Sequence, residues 1–341
     1  MQPNFIFYGI TGGPTALYQL PSPNVNLFWL VGSGKGNVFI LSTKLKQNFG
    51  VIYDGSINTS QKNDTVISIN SINAILTKYT DNESIYDVWI HQRSYGMINI
   101  ELILSGSTAT SFSIKNIQKK YIDVKCFGFV NALFFENNMF VIDHLGGICI
   151  FNSNEDYNCD KNMLNLDRDK YGIPMVMKKI GKEHFVLATD GGFLIFVNVM
   201  NKKIIHELKP EKISAIFGLD VFGDKIIVGT RSQKYWIGNL NDILNDTSYE
   251  ITYSVTPSGI PSKLTNISIE PNEGKFFAAV CKNGGFIFCK ESKTDPKKIK
   301  MLREINYDHG TISSISWENC DNAYNLLVGL REDEKLCYWK F

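Results

Sequence analysis

Phe185-Val186-Leu187-Ala188-Thr189-Asp190-Gly191-Gly192-Phe193-Leu194-Ile195-Phe196 consists of two apolar runs of strand length joined by an Asp-Gly-Gly turn. That is the pattern of a β-hairpin. Its second half, a glycine, a variable residue and a short apolar run ending in a bulky side chain, recurs along the chain. It reads Gly36-Asn37-Val38-Phe39-Ile40-Leu41, Gly146-Gly147-Ile148-Cys149-Ile150-Phe151, Gly191-Gly192-Phe193-Leu194-Ile195-Phe196 and Gly284-Gly285-Phe286-Ile287-Phe288-Cys289. Two weaker copies are Ser232-Gln233-Lys234-Tyr235-Trp236-Ile237 and Glu334-Lys335-Leu336-Cys337-Tyr338-Trp339. The interval between Gly36 and Gly146 is two units long, and Ser94-Tyr95-Gly96-Met97-Ile98-Asn99-Ile100 fills it with a degenerate copy. Seven copies result.

A third run precedes the hairpin. Ala215 to Val221, Leu264 to Ile269 and Ile312 to Trp317 alternate apolar with polar or small residues, the period-2 signature of a strand. Several short strands in roughly 40 to 55 residues make a propeller blade of four. A β-sandwich also has short strands and frequent turns, but nothing in that architecture requires one turn phrase to recur seven times. The sequence therefore predicts an all-β, seven-bladed β-propeller of WD-repeat type, forming a single domain over residues 1–341.

The ends of the chain predict how such a ring closes. Ile312 to Trp317, Tyr324 to Gly329 and Lys335 to Phe341 supply only three strands, whereas Asn4-Phe5-Ile6-Phe7-Tyr8 is a lone strand before the first full unit. Residues 4–8 are expected to complete the last blade, 311–341, because an unclosed ring leaves a strand edge open to aggregation. Asp54 to Thr65, Asn152 to Lys170, Asn241 to Glu250 and Glu291 to Lys298 are polar and are expected to be loops, the usual place for partner contacts.

Composition narrows the function classes. With 44% hydrophobic and 12% aromatic residues the chain is too apolar for an extended disordered protein. Its 35 Lys and Arg against 34 Asp and Glu leave a formal charge of +1, no field for nucleic acid or anionic membrane. The basic clusters Lys178-Lys179, Lys202-Lys203 and Lys297-Lys298-Ile299-Lys300 fall where turns between apolar runs are expected. No unbroken apolar run reaches membrane-spanning length, and the start of the chain lacks a signal-peptide pattern. The seven cysteines, Cys126, Cys149, Cys159, Cys281, Cys289, Cys320 and Cys337, are odd in number and have no metal-ligand spacing. A reducing intracellular compartment, nuclear or cytoplasmic, is the expectation.

Motifs that could carry chemistry read more simply as structure. Gly32-Ser33-Gly34-Lys35-Gly36 lacks the spacing of a phosphate loop and is followed by a strand where a helix should begin, so it is expected to be a hairpin turn. His91, His144, His184, His206 and His309 are scattered without metal-binding spacing, and His309 is expected to brace a turn. Asp167-Arg168-Asp169 lies in a polar connector with no apolar wall to raise a carboxyl pKa, and is expected to be a solvated loop. The sequence thus assigns no catalytic, cofactor-binding or metal-binding residues and leaves the partner-binding residues unassigned. The rival to a binding module is a propeller enzyme, which would need a deep pocket with converging carboxylates or histidines.

Three segments carry a family resemblance: Pro3-Asn4-Phe5-Ile6-Phe7-Tyr8-Gly9, Tyr171-Gly172-Ile173-Pro174-Met175, and Leu264-Thr265-Asn266-Ile267-Ser268-Ile269-Glu270-Pro271-Asn272-Glu273-Gly274-Lys275-Phe276. Through them the chain resembles the WD-repeat family of the guanine-nucleotide-binding-protein-β-like protein and the ASTRA-associated WD-repeat protein of fungi. The Trp-Asp pair that names such repeats is absent; Trp236-Ile237 and Trp339-Lys340 stand where it would fall, and Cys281-Lys282-Asn283 replaces Gly-Trp-Asp. The resemblance implies a non-catalytic adaptor without cofactor. Its implied partners are subunits of the cochaperone assembly that matures phosphatidylinositol-3-kinase-related kinases, in a setting of DNA-damage and telomere signalling and chromatin remodelling. A substrate receptor of a ubiquitin ligase or a histone reader is the alternative among binding modules.

Overall fold

The computed structural model describes residues 2–21, 27–55, 68–93, 95–106, 113–124, 130–135, 138–143, 146–152, 159–209, 215–231, 234–245, 252–255, 264–281, 284–291, 299–306, 310–320 and 324–341. Seven four-stranded antiparallel sheets make up the fold, a seven-bladed β-propeller. Strand β1 (Phe5–Phe7) stands apart from the four strands that follow it, β2 (Pro14–Gln19), β3 (Phe28–Ser33), β4 (Val38–Ser42) and β5 (Gln47–Tyr53). The next sheet is β6 (Ile69–Tyr79), β7 (Glu83–Gln92), β8 (Gly96–Ser105) and β9 (Ser113–Ile122). Then come β10 (Leu133–Phe135), β11 (Asn138–Ile142), β12 (Gly147–Asn152) and β13 (Cys159–Asn165), followed after helix α1 (Arg168–Tyr171) by β14 (Pro174–Ile180), β15 (His184–Thr189), β16 (Leu194–Asn198) and β17 (Lys203–Leu208). The fifth sheet is β18 (Ile216–Phe222), β19 (Lys225–Thr230), β20 (Lys234–Asn239) and, after helix α2 (Leu240–Leu244), β21 (Thr252–Val255). The sixth is β22 (Leu264–Ile269), β23 (Phe276–Cys281), β24 (Gly285–Glu291) and β25 (Ile299–Asn306). Strands β26 (Ile312–Glu318), β27 (Asn325–Leu330) and β28 (Lys335–Lys340) form the last, in the order β1-β28-β27-β26.

The recurring phrase is the turn between the second and third strand of each sheet. The backbone N–H of Gly36, Tyr95, Gly146, Gly192, Gly284 and Glu334 donates to the carbonyl three residues earlier, that of Ser33, Gln92, Asp143, Thr189, Cys281 and Arg331, at 3.1 to 3.3 Å. The seventh copy, at residues 232 and 233, lies outside the described residues. Side chains reinforce three of these turns: Ser33 Oγ, Asp143 Oδ1 and Thr189 Oγ1 accept from the backbone N–H of Asn37, Gly147 and Phe193. The geometry corrects one register read from sequence. The left-handed residue equivalent to Gly36 (φ 85°) is Gly192 (φ 83°), not Gly191. In the last copy Glu334 holds that conformation at φ 54° with a side chain on it.

The first strand also repeats a detail. Five of them carry a register shift at their start, between Pro14 and Ala16, Ile69 and Ser71, Pro174 and Val176, Ile216 and Gly218, and Leu264 and Asn266. Such bulges increase local twist. In the first sheet the second and third strands, β3 and β4, are buried along their whole length, which explains why they read as unbroken apolar runs, whereas β7 and β8 leave one face half-exposed at Asp87 and Glu101. Fourth strands bury less; β17 alternates exposed and half-buried residues up to Leu208.

The chain packs as two compact units. In the unit of Gln2–Phe127 with Leu327–Lys340, one core is built from Leu30, Ile40, Ile72, Val88 and Ile100, and a second from Phe7, Trp29, Val31, Phe39 and Leu336. Strand β1 closes the last sheet here, as expected, with Phe5, Ile6 and Phe7 opposite Tyr338, Cys337 and Leu336. Asn4 extends the seam by donating from its backbone to Tyr338 O at 2.8 Å and accepting at Oδ1 from the Lys340 N–H at 2.7 Å. In the unit of Gly128–Leu326 with Phe341, cores around Phe140, Phe185 and Ile195, around Phe196, Leu219 and Trp236, and around Ile267, Phe277 and Ile287 follow one another along the chain. Burying each such large side chain stabilises by about 1.5 to 3 kcal/mol.

Two polar stretches expected to be loops contain regular structure. Residues 159–165 of the Asn152 to Lys170 stretch form β13, paired with β12, because a backbone partner holds an outer strand whatever its composition. The Asn241 to Glu250 stretch begins inside α2, which Asn239 caps by accepting from Asn241 and Asp242 N–H and which buries Leu240 and Ile243. Residues 56–65 and 292–298 of the other two stretches lie outside the described residues. Among the described residues no helix is long and apolar enough to cross a membrane.

Candidate interaction surfaces

The groups singled out in the sequence are spread among different elements. Gly32-Ser33-Gly34-Lys35-Gly36 is the β3–β4 turn. Asp167, Arg168 and Asp169 are exposed to solvent, but they form the start of a helix rather than a loop: Asp167 caps α1, accepting from Asp169 and Lys170 N–H at 3.0 and 3.2 Å. Lys178 pairs with Asp220, and Lys179 donates to Phe134 O at 3.2 Å with its ammonium 4.5 Å from the centre of the Phe135 ring. Lys202 lies in the turn before β17 and Lys203 begins that strand; Lys297 and Lys298 lie outside the described residues. His184 contacts the Asn198 side chain at 3.0 Å, His206 packs beside Phe196, and His91 is fully buried in β7. His144 and His309 lie outside the described residues. Among the described residues no three His, Cys, Asp or Glu side chains are grouped to hold a metal ion.

Two surfaces stand out instead. The first is built on β22, β23, β24 and β26. Glu270, 1% exposed, follows β22 and accepts at Oε1 from Asn272 N–H at 2.5 Å and at Oε2 from Glu273 N–H at 3.1 Å, shaping the turn into β23. Asn272 Nδ2 then donates to Cys320 O at 3.1 Å, and the Trp317 indole N–H donates to Ser268 O at 2.8 Å, which ties this turn to the following sheet. Phe276 stands between Tyr324, edge-on at 4.6 Å, and Phe288, stacked at 5.4 Å. Lys290 approaches the Phe276 ring to 5.0 Å.

Charge frames that half-exposed aromatic pair. Glu273 accepts from Lys275 Nζ at 2.8 Å and from Tyr324 OH at 3.2 Å. These contacts hold the Glu273 carboxyl below its ordinary pKa and Lys275 above its own, while loss of solvent and the neighbouring Glu273 raise Tyr324. Phenylalanine and tyrosine fixed in place and ringed by charge are residue types that anchor protein interfaces. The sequence could not single them out, because Phe276 and Tyr324 come together only through the packing of separate sheets.

The second surface belongs to the sheet β6–β9, whose strands run 10 or 11 residues where no other described strand exceeds eight. Its proximal face carries Ala74, Val88, Ile100 and Leu102 into the core. On the opposite face Ile75, Asp87, Glu101 and Ile117 form one cross-strand row, with Ile75 43% and Ile117 44% exposed. Lys119 lies above that row, 2.8 Å from Glu101 and 3.6 Å from Asp87, and the Glu101 contact raises its pKa.

Comparison with known proteins places the fold only. No family model matches the chain, and no curated protein does. Among solved structures, a WD-repeat propeller chain in a crystal structure of the mitotic checkpoint complex is similar, with a TM-score of 0.63 at 9% identity over 100% of this chain and 92% of that one. Solved chains of similar fold number 1353, so the likeness by itself selects no partner.

Proposed function

We propose that the chain is a non-catalytic protein-interaction scaffold acting as one domain over residues 1–341. The observation that carries this reading is the Phe276 and Tyr324 pair, held by hydrogen-bonded turns on stiff sheets and framed by Glu273, Lys275 and Lys290. A rigid aromatic anchor with a charged rim loses little conformational entropy on binding.

The finer reading rests on the family resemblance carried by the segments around Tyr171, Leu264 and Phe5. In it the chain is an ASTRA-associated WD-repeat adaptor of a nuclear or cytoplasmic assembly, serving cochaperones that mature phosphatidylinositol-3-kinase-related kinases. Purification of the tagged protein from its own cells, with identification of what accompanies it, tests both levels. Kinase-maturation cochaperones, lost on Phe276→Ala with Tyr324→Ala, are the expected result. Recovery of ubiquitin-ligase or histone partners overturns the finer reading, and a defined substrate turned over by the purified chain overturns the coarser one.

A further inference from the structure

We propose that the outer edge of β9 takes an extended acidic segment of a partner as a fifth strand of the sheet β6–β9. The inference rests on reading the chain as an interaction module, and gives one of its surfaces a partner of defined chemistry.

Strand β9 is the outermost of its sheet, ten residues long, and its burial pattern is exposed or half-exposed at every position before Ile122. An edge strand pairs on one side only, so about every second residue turns its N–H and C=O away from the sheet. Strand addition uses such groups for affinity and the alternating side chains for selectivity. The sequence of β9, Ser-Ile-Lys-Asn-Ile-Gln-Lys-Lys-Tyr-Ile, has three lysines and no acid.

Charge decides between occupants. A second copy of this chain pairing β9 with β9 sets lysines against lysines, which disfavours it. A partner with carboxylates at alternate positions meets the opposite sign. Register makes this specific: Lys115 and Ile117 alternate along one face, where Ile117 continues the row of Glu101 and Asp87 and Lys115 the row of Ile103 and Ile85, and Lys119, at the register shift that follows, lies on the same side, where Glu101 holds it at 2.8 Å. The partner strand is expected to read acidic, any, apolar, any, acidic. The other face of β9 is taken by packing on the preceding sheet, as Asn116 Nδ2 donates to Ile52 O on β5 at 2.5 Å. Tyr121 is likewise committed, its hydroxyl donating to Tyr95 O at 2.7 Å.

The probe is a fluorescein-labelled peptide in which threonine alternates with glutamate, isoleucine and glutamate, titrated with the full chain by fluorescence polarisation. Saturable binding is expected, weakened at high salt, with hydrogen-exchange protection appearing on residues 113–122. Lys115→Glu is expected to weaken it about fivefold and to strengthen a lysine-for-glutamate peptide by a similar factor, since exchanging attraction for repulsion in one cross-strand pair is worth about 1 kcal/mol. N-methylation of alternate peptide amides is expected to abolish binding. No binding at millimolar chain, equal binding of the N-methylated peptide, or indifference to Lys115→Glu overturns the proposal. A dimer of the free chain that Lys115→Glu dissociates also overturns it. None of these outcomes bears on partners recovered through Phe276 and Tyr324, so the two readings fail separately.

Discussion

Lys178 Nζ on β14 lies 2.8 Å from Asp220 Oδ1 on β18, and the other oxygen of the same carboxylate accepts from the backbone N–H of Ile269 on β22 at 2.7 Å. One aspartate thus links three consecutive sheets through their first strands. Its side chain is only 14% exposed, so removing it leaves the Ile269 N–H without its acceptor. Asp220→Ala is expected to cost about 1.5 to 3 kcal/mol in urea unfolding, the range for hydrogen bonds to a charged group. Asp220→Asn, which can keep the Ile269 bond, is expected to cost less; equal losses would mean that the ion pair alone mattered.

The β1 seam is the next site of leverage. Phe7 is 2% exposed and packs with Trp29, Val31 and Leu336, while Gly12 N–H donates to Glu334 Oε1 at 2.7 Å. Phe7→Ala is expected to destabilise by about 3 to 5 kcal/mol. Deleting residues 2–8 strips β28 of its outer partner and is expected to produce aggregation, followed by light scattering, at temperatures where the intact chain stays clear. A truncated chain that remains monomeric with an unchanged melting temperature contradicts this role.

The turn phrase makes a prediction about backbone alone. Gly192 sits at φ 83°, where a Cβ meets its own carbonyl. Gly192→Ala is expected to cost about 1 to 2 kcal/mol and Gly192→Asn distinctly less, because asparagine tolerates the left-handed region. Gly191→Ala is the telling comparison. A Cβ on Gly191 would fall 2.3 Å from Tyr171 O, so it too is expected to destabilise, but by a steric route that asparagine does not relieve.

These turns also explain what could be read in the sequence and what could not. Most second and third strands are largely buried, so their runs are apolar, and the left-handed position in the turn between them is held by glycine at Gly36, Gly146, Gly192 and Gly284. The fold follows from them, and so does the β1 closure. Two adjacent glycines at 191 and 192 satisfy the phrase equally, and only the dihedral angles separate them. Fourth strands can be held by backbone pairing without an apolar run, so β13, Cys-Asp-Lys-Asn-Met-Leu-Asn, reads as a loop although it pairs with β12. Helix α1, four residues long, is too short to show a helical period, so the exposed Asp167 reads as a loop residue until its capping bonds are seen. The two candidate surfaces were invisible for a related reason: one joins residues on different sheets, and the other lies on a polar outer strand.

Cysteine reactivity offers a direct check on packing. Burial pushes the Cys289 thiol up to about 12, and Cys149, Cys281 and Cys337 are buried as well, whereas Cys320 is half-exposed and accepts a contact from Asn325 Nδ2 at 3.1 Å. Because the thiolate is the reactive species, brief alkylation of the native chain at pH 8 is expected to label Cys320 well before any of those four. Early labelling of Cys289, read by peptide mass spectrometry, contradicts the packing of β24.

His91 predicts how stability depends on pH. It precedes its turn where the equivalent residues are Gly32, Ile142, Ala188, Val280 and Leu330, all small or apolar, and it is fully buried with neither ring nitrogen hydrogen-bonded. Burial drives its pKa down to about 4 from an ordinary 6.5. Between those values the unfolded chain binds a proton at this position and the folded chain does not, so stability falls as pH drops from 6.5 to 4 and levels off below. The loss is roughly 3 kcal/mol at 1.36 kcal/mol per pKa unit. Replacing the imidazole by a side chain of the kind its counterparts carry removes both the unsatisfied nitrogens and the titration. His91→Leu is therefore expected to raise stability at pH 5 more than at pH 8, measured by urea unfolding at each pH. An unchanged difference between the two pH values would mean that the imidazole gains solvent or a partner in the folded protein.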